Sequence, residues 1–255
     1  MIKILNIQMY DNTIMNAVSV VIEGCSSIKN NLCISATGAH GLITAYNDAI
    51  FKKVLDCFYI NLPDGMPCVW IGKLKGAKKM QRCYGPDFFR EVIIESRNKN
   101  MKHFFCGGKD GVAEDLKIAC QEKFNNFNVV GTFSPPFREM TDEEFADLAN
   151  KINGLKTDIV WIGLSTPKQE IFALHLSKYT NVHFLCTVGA AFDFHTGKVK
   201  QSPQWIQKIG MEWFYRLLIE PKRLWRRYLE IVPLFIWYNF IELLKGDFLI
   251  NQGKK

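Results

Sequence analysis

The chain has 255 residues, 48% of them hydrophobic, enough to bury a large core as one domain or as a domain with an appendage. Its 8 cysteines are scattered with no C-x-x-C pair, which argues against a zinc site or a disulfide framework and fits free thiols in a reducing cytoplasm. The net charge of +7 is uneven: residues 196–255 carry 7 Lys and 4 Arg against 4 Glu and 1 Asp, so +6 of it lies there, and such asymmetry points to an anionic partner.

The first residues lack the apolar run and cleavage site of a secretion signal. No stretch of 18 apolar residues exists, so no spanning helix is expected. Residues 1–30 read as a β-rich entry, with a strand at 18–22. A strand at 32–35 follows and ends in a turn of small residues at 36–41. Leu42, Ile43, Tyr46, Ile50, Val54 and Leu55 then recur at helical spacing and predict one helix of about 16 residues. The apolar run 57–62 predicts a buried strand, broken at once by Pro63 and Gly65. Asp64 sits at that turn, past the carboxyl end of the strand, where open α/β sheets bind ligands. It reads either as a turn or cap residue or as a catalytic base.

A short helix at 66–74 and a basic patch at 75–82 come next, then a helix opened by Pro86 in its first turn. From there strands at 102–106, 128–131, 158–163 and 182–188 alternate with helices. Thr141 with Glu144, and Thr166 with Gln169, are spaced as capping boxes. Alternation of this kind predicts a Rossmann-like, doubly wound, mostly parallel α/β sheet. Gly107 and Gly108 after one strand, and Gly163 with Thr166 and Lys168 after another, bring backbone N–H groups and helix starts toward one crevice. That suits phosphate, although each glycine pair also serves a plain tight turn.

No phosphate-binding G-x-x-x-x-G-K-[ST] occurs, nor a G-x-G-x-x-G with an acid about 20 residues on. No D-x-D pair occurs, and the histidines at 40, 103, 175, 183 and 195 lack metal-ligand spacing. A bound diphosphate would have to be neutralised by helix dipoles and by Lys or Arg.

Five segments carry a resemblance: Pro63-Asp64-Gly65; GGKDGVAE at 107–114; WIGLSTPKQE at 161–170; GAAFDF at 189–194; and EWFYR at 212–216 with PKRLWRR at 221–227. Together, over residues 32–228, they resemble the WecG/TagA/CpsF glycosyltransferases. The resemblance implies an inverting, metal-independent transfer of an N-acetylmannosamine-like sugar, a hexose or a uronic acid. The donor would be a UDP-sugar, as co-substrate and not cofactor. The acceptor would be a polyprenyl-diphosphate-linked saccharide in surface-polysaccharide synthesis. It implies Asp64 as general base, Arg82 and Gln169 in the active site, Thr37 near the sugar and Asp193 near the uracil. The family's asparagine after that threonine is Ala39 here, with His40 beside it.

Residues 1–195 thus form the expected core and 196–255 a helical appendage. Trp205, Ile206, Trp213 and Phe214 interleave there with Lys208, Arg216, Lys222, Arg223 and Arg226, a mixture suited to a membrane interface. Arg216, Arg223 and Arg226 are placed to steady departing UDP. Residues 229–244 are too short to span and read as an interfacial helix, a docking face or a core helix. The expected location is cytoplasmic, peripheral on the inner face of the cell membrane, with an anionic lipid surface as partner, a homo-oligomer left open, and no nucleic acid. Two other readings stand beside it: a nicotinamide-dependent oxidoreductase on a similar sheet, and a non-catalytic membrane adaptor.

Overall fold

A computed structural model describes residues 1–26 and 31–245. The chain opens with a hairpin, β1 (Ile2–Ile4) and β2 (Ile7–Met9), turned by Leu5 and Asn6 at positive φ. Helix α1 (Ile14–Gly24) follows, its start capped by the Thr13 hydroxyl, which accepts from the Asn16 N–H at 3.2 Å. The strand expected at 18–22 is therefore helical. Ala17, Val18 and Val21 are the residues buried; that is one helix face, and burying it outweighs the β preference of the valines.

The main sheet has six parallel strands: β3 (Leu32–Thr37), β4 (Ile60–Pro63), β5 (His103–Gly107), β6 (Val129–Phe133), β7 (Ile159–Gly163) and β8 (Phe184–Thr187), ordered β4-β3-β8-β7-β5-β6. Side chains alternate across it. Phe105 and Trp161 enter one core with Phe88, Phe89 and Phe192; Phe104, Val160 and Ile162 enter the other with Phe145, Phe172 and Leu176. The first core is covered by α1, α5 (Gly85–Ser96), α6 (Val112–Phe124) and α9 (Ala191–His195), the second chiefly by α7 (Asp142–Gly154) and α8 (Lys168–Leu176). Strands buried on both faces explain the continuous apolar runs in the sequence.

Between β3 and β4 the single helix expected is two, α2 (Ala39–Asn47) and α3 (Ala49–Asp56). Asp48 breaks them: extended at φ −125°, its carboxylate caps α3 by accepting from Ile50 N and Phe51 N at 2.8 and 3.1 Å. Thr141 and Glu144 do form the capping box of α7. Thr166 and Gln169 do not: α8 starts at Lys168 behind Pro167 with no side-chain cap, because both side chains are engaged elsewhere.

After β4 comes α4 (Met66–Leu74); after β8 and α9 the chain forms α10 (Gln204–Lys208), α11 (Glu212–Ile219) and α12 (Pro221–Lys245). Helix α12 buries Leu224, Ile231, Phe235 and Asn239. Ile231 and Phe235 share a third core with the β1–β2 hairpin, α2 and α4, and Tyr238 stacks on Tyr46 of α2 at 4.2 Å. Fully buried Lys75 ties these parts together, donating to the Lys3 carbonyl at 3.0 Å and pairing with Glu242 at 2.5 Å. Burial lowers its pKa, and Glu242 acts against that shift. The other flank of α12 leaves Leu229, Ile236, Trp237, Phe240 and Leu244 exposed. Among the described residues no helix is long and apolar enough to cross a membrane.

Candidate active site

The chain runs outward from β3 to β4 at one edge and from β5 to β6 at the other, so the strand order reverses between them and a crevice opens at the carboxyl ends. Thr37, Gly107 and Gly163 end their strands there, and Asp64 follows β4 directly. The Asp64 N–H donates to the Thr37 carbonyl at 3.2 Å, which holds the turn against β3.

The carboxylate of Asp64 has two different oxygens. Oδ1 accepts from Gly85 N at 2.8 Å. Oδ2 has no hydrogen bond among the described residues and faces Gly38, where an added Cβ would lie 3.8 Å away. Burial pushes the Asp64 carboxyl up to about 6; the Gly85 N–H, Arg82 and Arg216 pull it down and Glu212 pushes it up. The result is a carboxylate that is still ionised at pH 7 yet a stronger base than an ordinary aspartate.

Arg82 ties this turn to α10 and α11. Its Nε donates to the Asp64 carbonyl at 3.0 Å, one terminal nitrogen to Gln207 Oε1 at 3.1 Å, and the other pairs with Glu212. Its guanidinium also lies over the Tyr84 ring, 3.9 Å from the centroid. Tyr84 donates its hydroxyl to Glu212 at 2.5 Å, and burial, then the Glu212 charge, hold that phenol well above its ordinary pKa. Each nitrogen of Arg82 thus has a protein partner, and Glu212, which sequence reasoning missed, is the hub. Its spacing four residues before Arg216 on one helix was the available signal.

Arg216 enters the same crevice, its guanidinium 5.6 Å from the Phe194 ring. It approaches Glu220 only at 3.8 Å, and its Nε is buried without a partner among the described residues. Asp193 is half-buried beside Phe194 in α9. Arg226 is exposed, over Trp225 at 5.2 Å. The side chain of Arg223 lies outside the described part of the structure.

Behind the crevice Glu170 is the centre of a buried polar cluster. Its Oε1 accepts from Ser35 Oγ, Thr166 Oγ1 and Gln169 Nε2 at 3.1, 3.0 and 2.9 Å. Thr37 Oγ1 donates to Ser35 Oγ at 2.8 Å, and Gln169 Oε1 accepts from Gly189 N at 3.0 Å. Thr37, Thr166 and Gln169 are therefore brought together, each bonded within the protein. Burial holds the Glu170 carboxyl above its usual range against the pull of these donors. Glu170→Ala is expected to cost at least about 1–3 kcal/mol in urea unfolding, because it strands buried donors, whereas Glu170→Gln keeps the shared oxygen and most of that stability.

The glycine turns are spent on close approach. A Cβ on Gly107, at φ +139°, would meet the Gly163 carbonyl oxygen at 2.5 Å, and Gly108 donates its N–H to that same oxygen at 3.1 Å. A Cβ on Gly163 would lie 2.6 Å from the Phe192 ring. Lys168 is exposed at the first residue of α8. His40 is half-buried in the first turn of α2; burial, then Arg227, pull it down to about 4. Among the described residues, no group of three or more His, Cys, Asp or Glu side chains is placed to hold a metal ion.

The family model for the WecG/TagA/CpsF glycosyl transferases matches residues 2–247. The chain belongs to that family. It is a glycosyltransferase, which sets aside the oxidoreductase and adaptor readings. An N-acetylglucosaminyldiphosphoundecaprenol N-acetyl-beta-D-mannosaminyltransferase of Bacillus subtilis (strain 168) is 27% identical over 203 residues, covering 80% of this chain and 77% of that protein. A protein of the same name from Bacillus spizizenii is 29% identical over 184 residues, covering 71% and 68%.

Proposed function

We propose that this glycosyltransferase moves an N-acetylmannosamine-like sugar from a UDP-sugar to polyprenyl-diphosphate-linked N-acetylglucosamine, with inversion and without a metal. The unbonded Oδ2 of Asp64, directed at the crevice with a raised pKa, carries the reading. In this account Oδ2 takes the proton of the acceptor hydroxyl as its oxygen attacks the donor's anomeric carbon. The bond from that carbon to the phosphate oxygen breaks, and the pair of electrons leaves with UDP.

Charge then builds on the diphosphate, and the Arg216 guanidinium, held by Glu220 only at 3.8 Å, turns to meet it. Arg82 acts as a positioning residue, holding the Asp64 turn through its carbonyl. Lys168 and the helix start behind Gly163 support the phosphate side, and Asp193 the nucleoside side. The relatives' names supply the sugar and the carrier lipid. A peripheral position on the membrane is supported by the exposed apolar flank of α12 and by Trp205 and Leu218, which are 64% and 65% exposed.

The test is UDP release from a panel of UDP-sugars with a synthetic prenyl-diphosphate N-acetylglucosamine, with and without EDTA. Release that depends on acceptor and survives EDTA is expected. No release from any UDP-sugar would overturn the proposal.

A further inference from the structure

Helix α4 presents Trp70, Lys73 and Leu74 outward at i, i+3 and i+4 spacing, which is one strip of a helix surface. Trp70 is 46% and Leu74 66% exposed. Lys78 and Lys79, also exposed, follow in the turn behind Gly76. We propose that this strip is a membrane-docking surface outside the C-terminal helices, and that its partner is a bilayer rich in anionic lipid. The inference deepens the peripheral position proposed above and rests on it.

Charge selects the partner. Residues 66–82 hold Lys73, Lys75, Lys78, Lys79 and Arg82 and no Asp or Glu. Two carboxylates from other elements pair with this segment, and both are spent: Glu242 on Lys75 and Glu212 on Arg82. Lys73, Lys78 and Lys79 have no ion pair or side-chain hydrogen bond among the described residues. Their charge is left for an anionic surface, where each lysine near the headgroups tightens binding roughly fivefold. The exposed indole and leucine beside them favour a bilayer over a nucleic acid. Apolar side chains sink between headgroups while the ammonium groups meet phosphates; a nucleic-acid backbone would take up the charge and leave Leu74 in water.

The strip is also continuous with the other exposed apolar side chains. Trp70 packs against Gly210, in the turn between α10 and α11, where an added Cβ would lie 2.6 Å from the indole ring. Ile209 beside it is 53% exposed. At the far end of α4 the Lys75–Glu242 pair ties the chain to the end of α12, and Leu244 just beyond is exposed. The nine residues of α4 extend about 13 Å at roughly 1.5 Å each, and the helix begins directly behind Asp64 and Gly65. Docking through this strip would thus hold the Asp64 turn close to the lipid that carries the acceptor.

The test is co-sedimentation of the full chain with vesicles of phosphatidylcholine alone and of phosphatidylcholine with phosphatidylglycerol. The wild type is compared with Leu74→Gln and with the triple variant Lys73→Gln, Lys78→Gln and Lys79→Gln. All four side chains are exposed, so urea unfolding should match the wild type in both variants. Binding to the anionic vesicles is expected to fall about tenfold or more in the triple variant and about threefold or more in Leu74→Gln. UDP release with a soluble short-chain acceptor should be unchanged in both. Wild-type binding to anionic vesicles by the triple variant, or no wild-type preference for anionic over neutral vesicles, would overturn the proposal. So would lysine-dependent binding of RNA in a chain that ignores vesicles. Lysine-dependent vesicle binding in a chain that releases no UDP from any donor would uphold the surface and overturn the proposed function instead.

Discussion

Asp64→Asn is expected to cut turnover by about 10²–10⁴-fold, the usual worth of a positioned general base, and at the same time to stabilise the fold above pH 6. Asparagine still accepts from Gly85 N through its carbonyl oxygen, so the turn is kept. What disappears is a charge that burial makes costly. The sign follows from the shift: the Asp64 pKa is raised from 3.8 to about 6 in the folded chain. Its contribution to stability is thus complete below the unfolded value and is lost as pH rises through 6. At pH 8 the ionised group costs on the order of 2–3 kcal/mol, and the variant escapes that cost. Urea unfolding of both proteins at pH 4 and pH 8 should show a small difference at the lower pH and the full one at the higher. A variant less stable at pH 8 would mean that the carboxylate is a structural anchor and not a base held under strain.

Glu212→Ala is expected to be the most damaging change in the C-terminal helices α10 to α12. The Arg82 and Glu212 side chains are only 14% and 12% exposed. Removing the carboxylate takes the counter-charge from a largely buried guanidinium and the acceptor from the Tyr84 hydroxyl; loss of one partner from a buried pair costs about 3–5 kcal/mol. The functional effect follows from position. Arg216 lies one turn along α11 from Glu212, so loosening the start of that helix misplaces the side chain proposed to meet UDP. Turnover should fall by about 10²-fold in a protein whose sheet remains folded. Because Arg82 and Glu212 act as a unit, the double variant Arg82→Ala with Glu212→Ala should lose much less than the sum of the singles in urea unfolding. Additive losses would show that the contact does not join the Asp64 turn to α11.

The sheet was legible because its strands are largely apolar runs, and β4, β5 and β7 end in proline or glycine. The turn at Asp64 was legible for the same reason, as was the capping box at Thr141. The first helix was not: Val18-Ser19-Val20-Val21-Ile22 has strand composition, and only Thr13 as a cap and the burial of Ala17, Val18 and Val21 identify it. The break at Asp48 was concealed by apolar residues that keep helical spacing across it. In the site, Asp64, Thr37 and Arg216 could be singled out in one dimension because motifs surround them. Glu212 and Glu170 were missed: Glu212 offered only its spacing to Arg216, and the partners Arg82 and Ser35 lie 130 and 135 residues away. The Glu170 donors Thr166 and Gln169 are local, but the burial that makes the carboxylate their shared acceptor is not visible in the sequence.

The central claim is that Asp64, with a pKa lifted by its surroundings, accepts the proton of the acceptor hydroxyl. The direct measurement is the pH dependence of kcat/KM for the acceptor, which reports the free enzyme's essential base. The account predicts a rise of tenfold per pH unit that levels off near pH 6 in the wild type, and no such break in the residual activity of Asp64→Asn. A profile that levels off near pH 4, or one with the same break in both proteins, would contradict it.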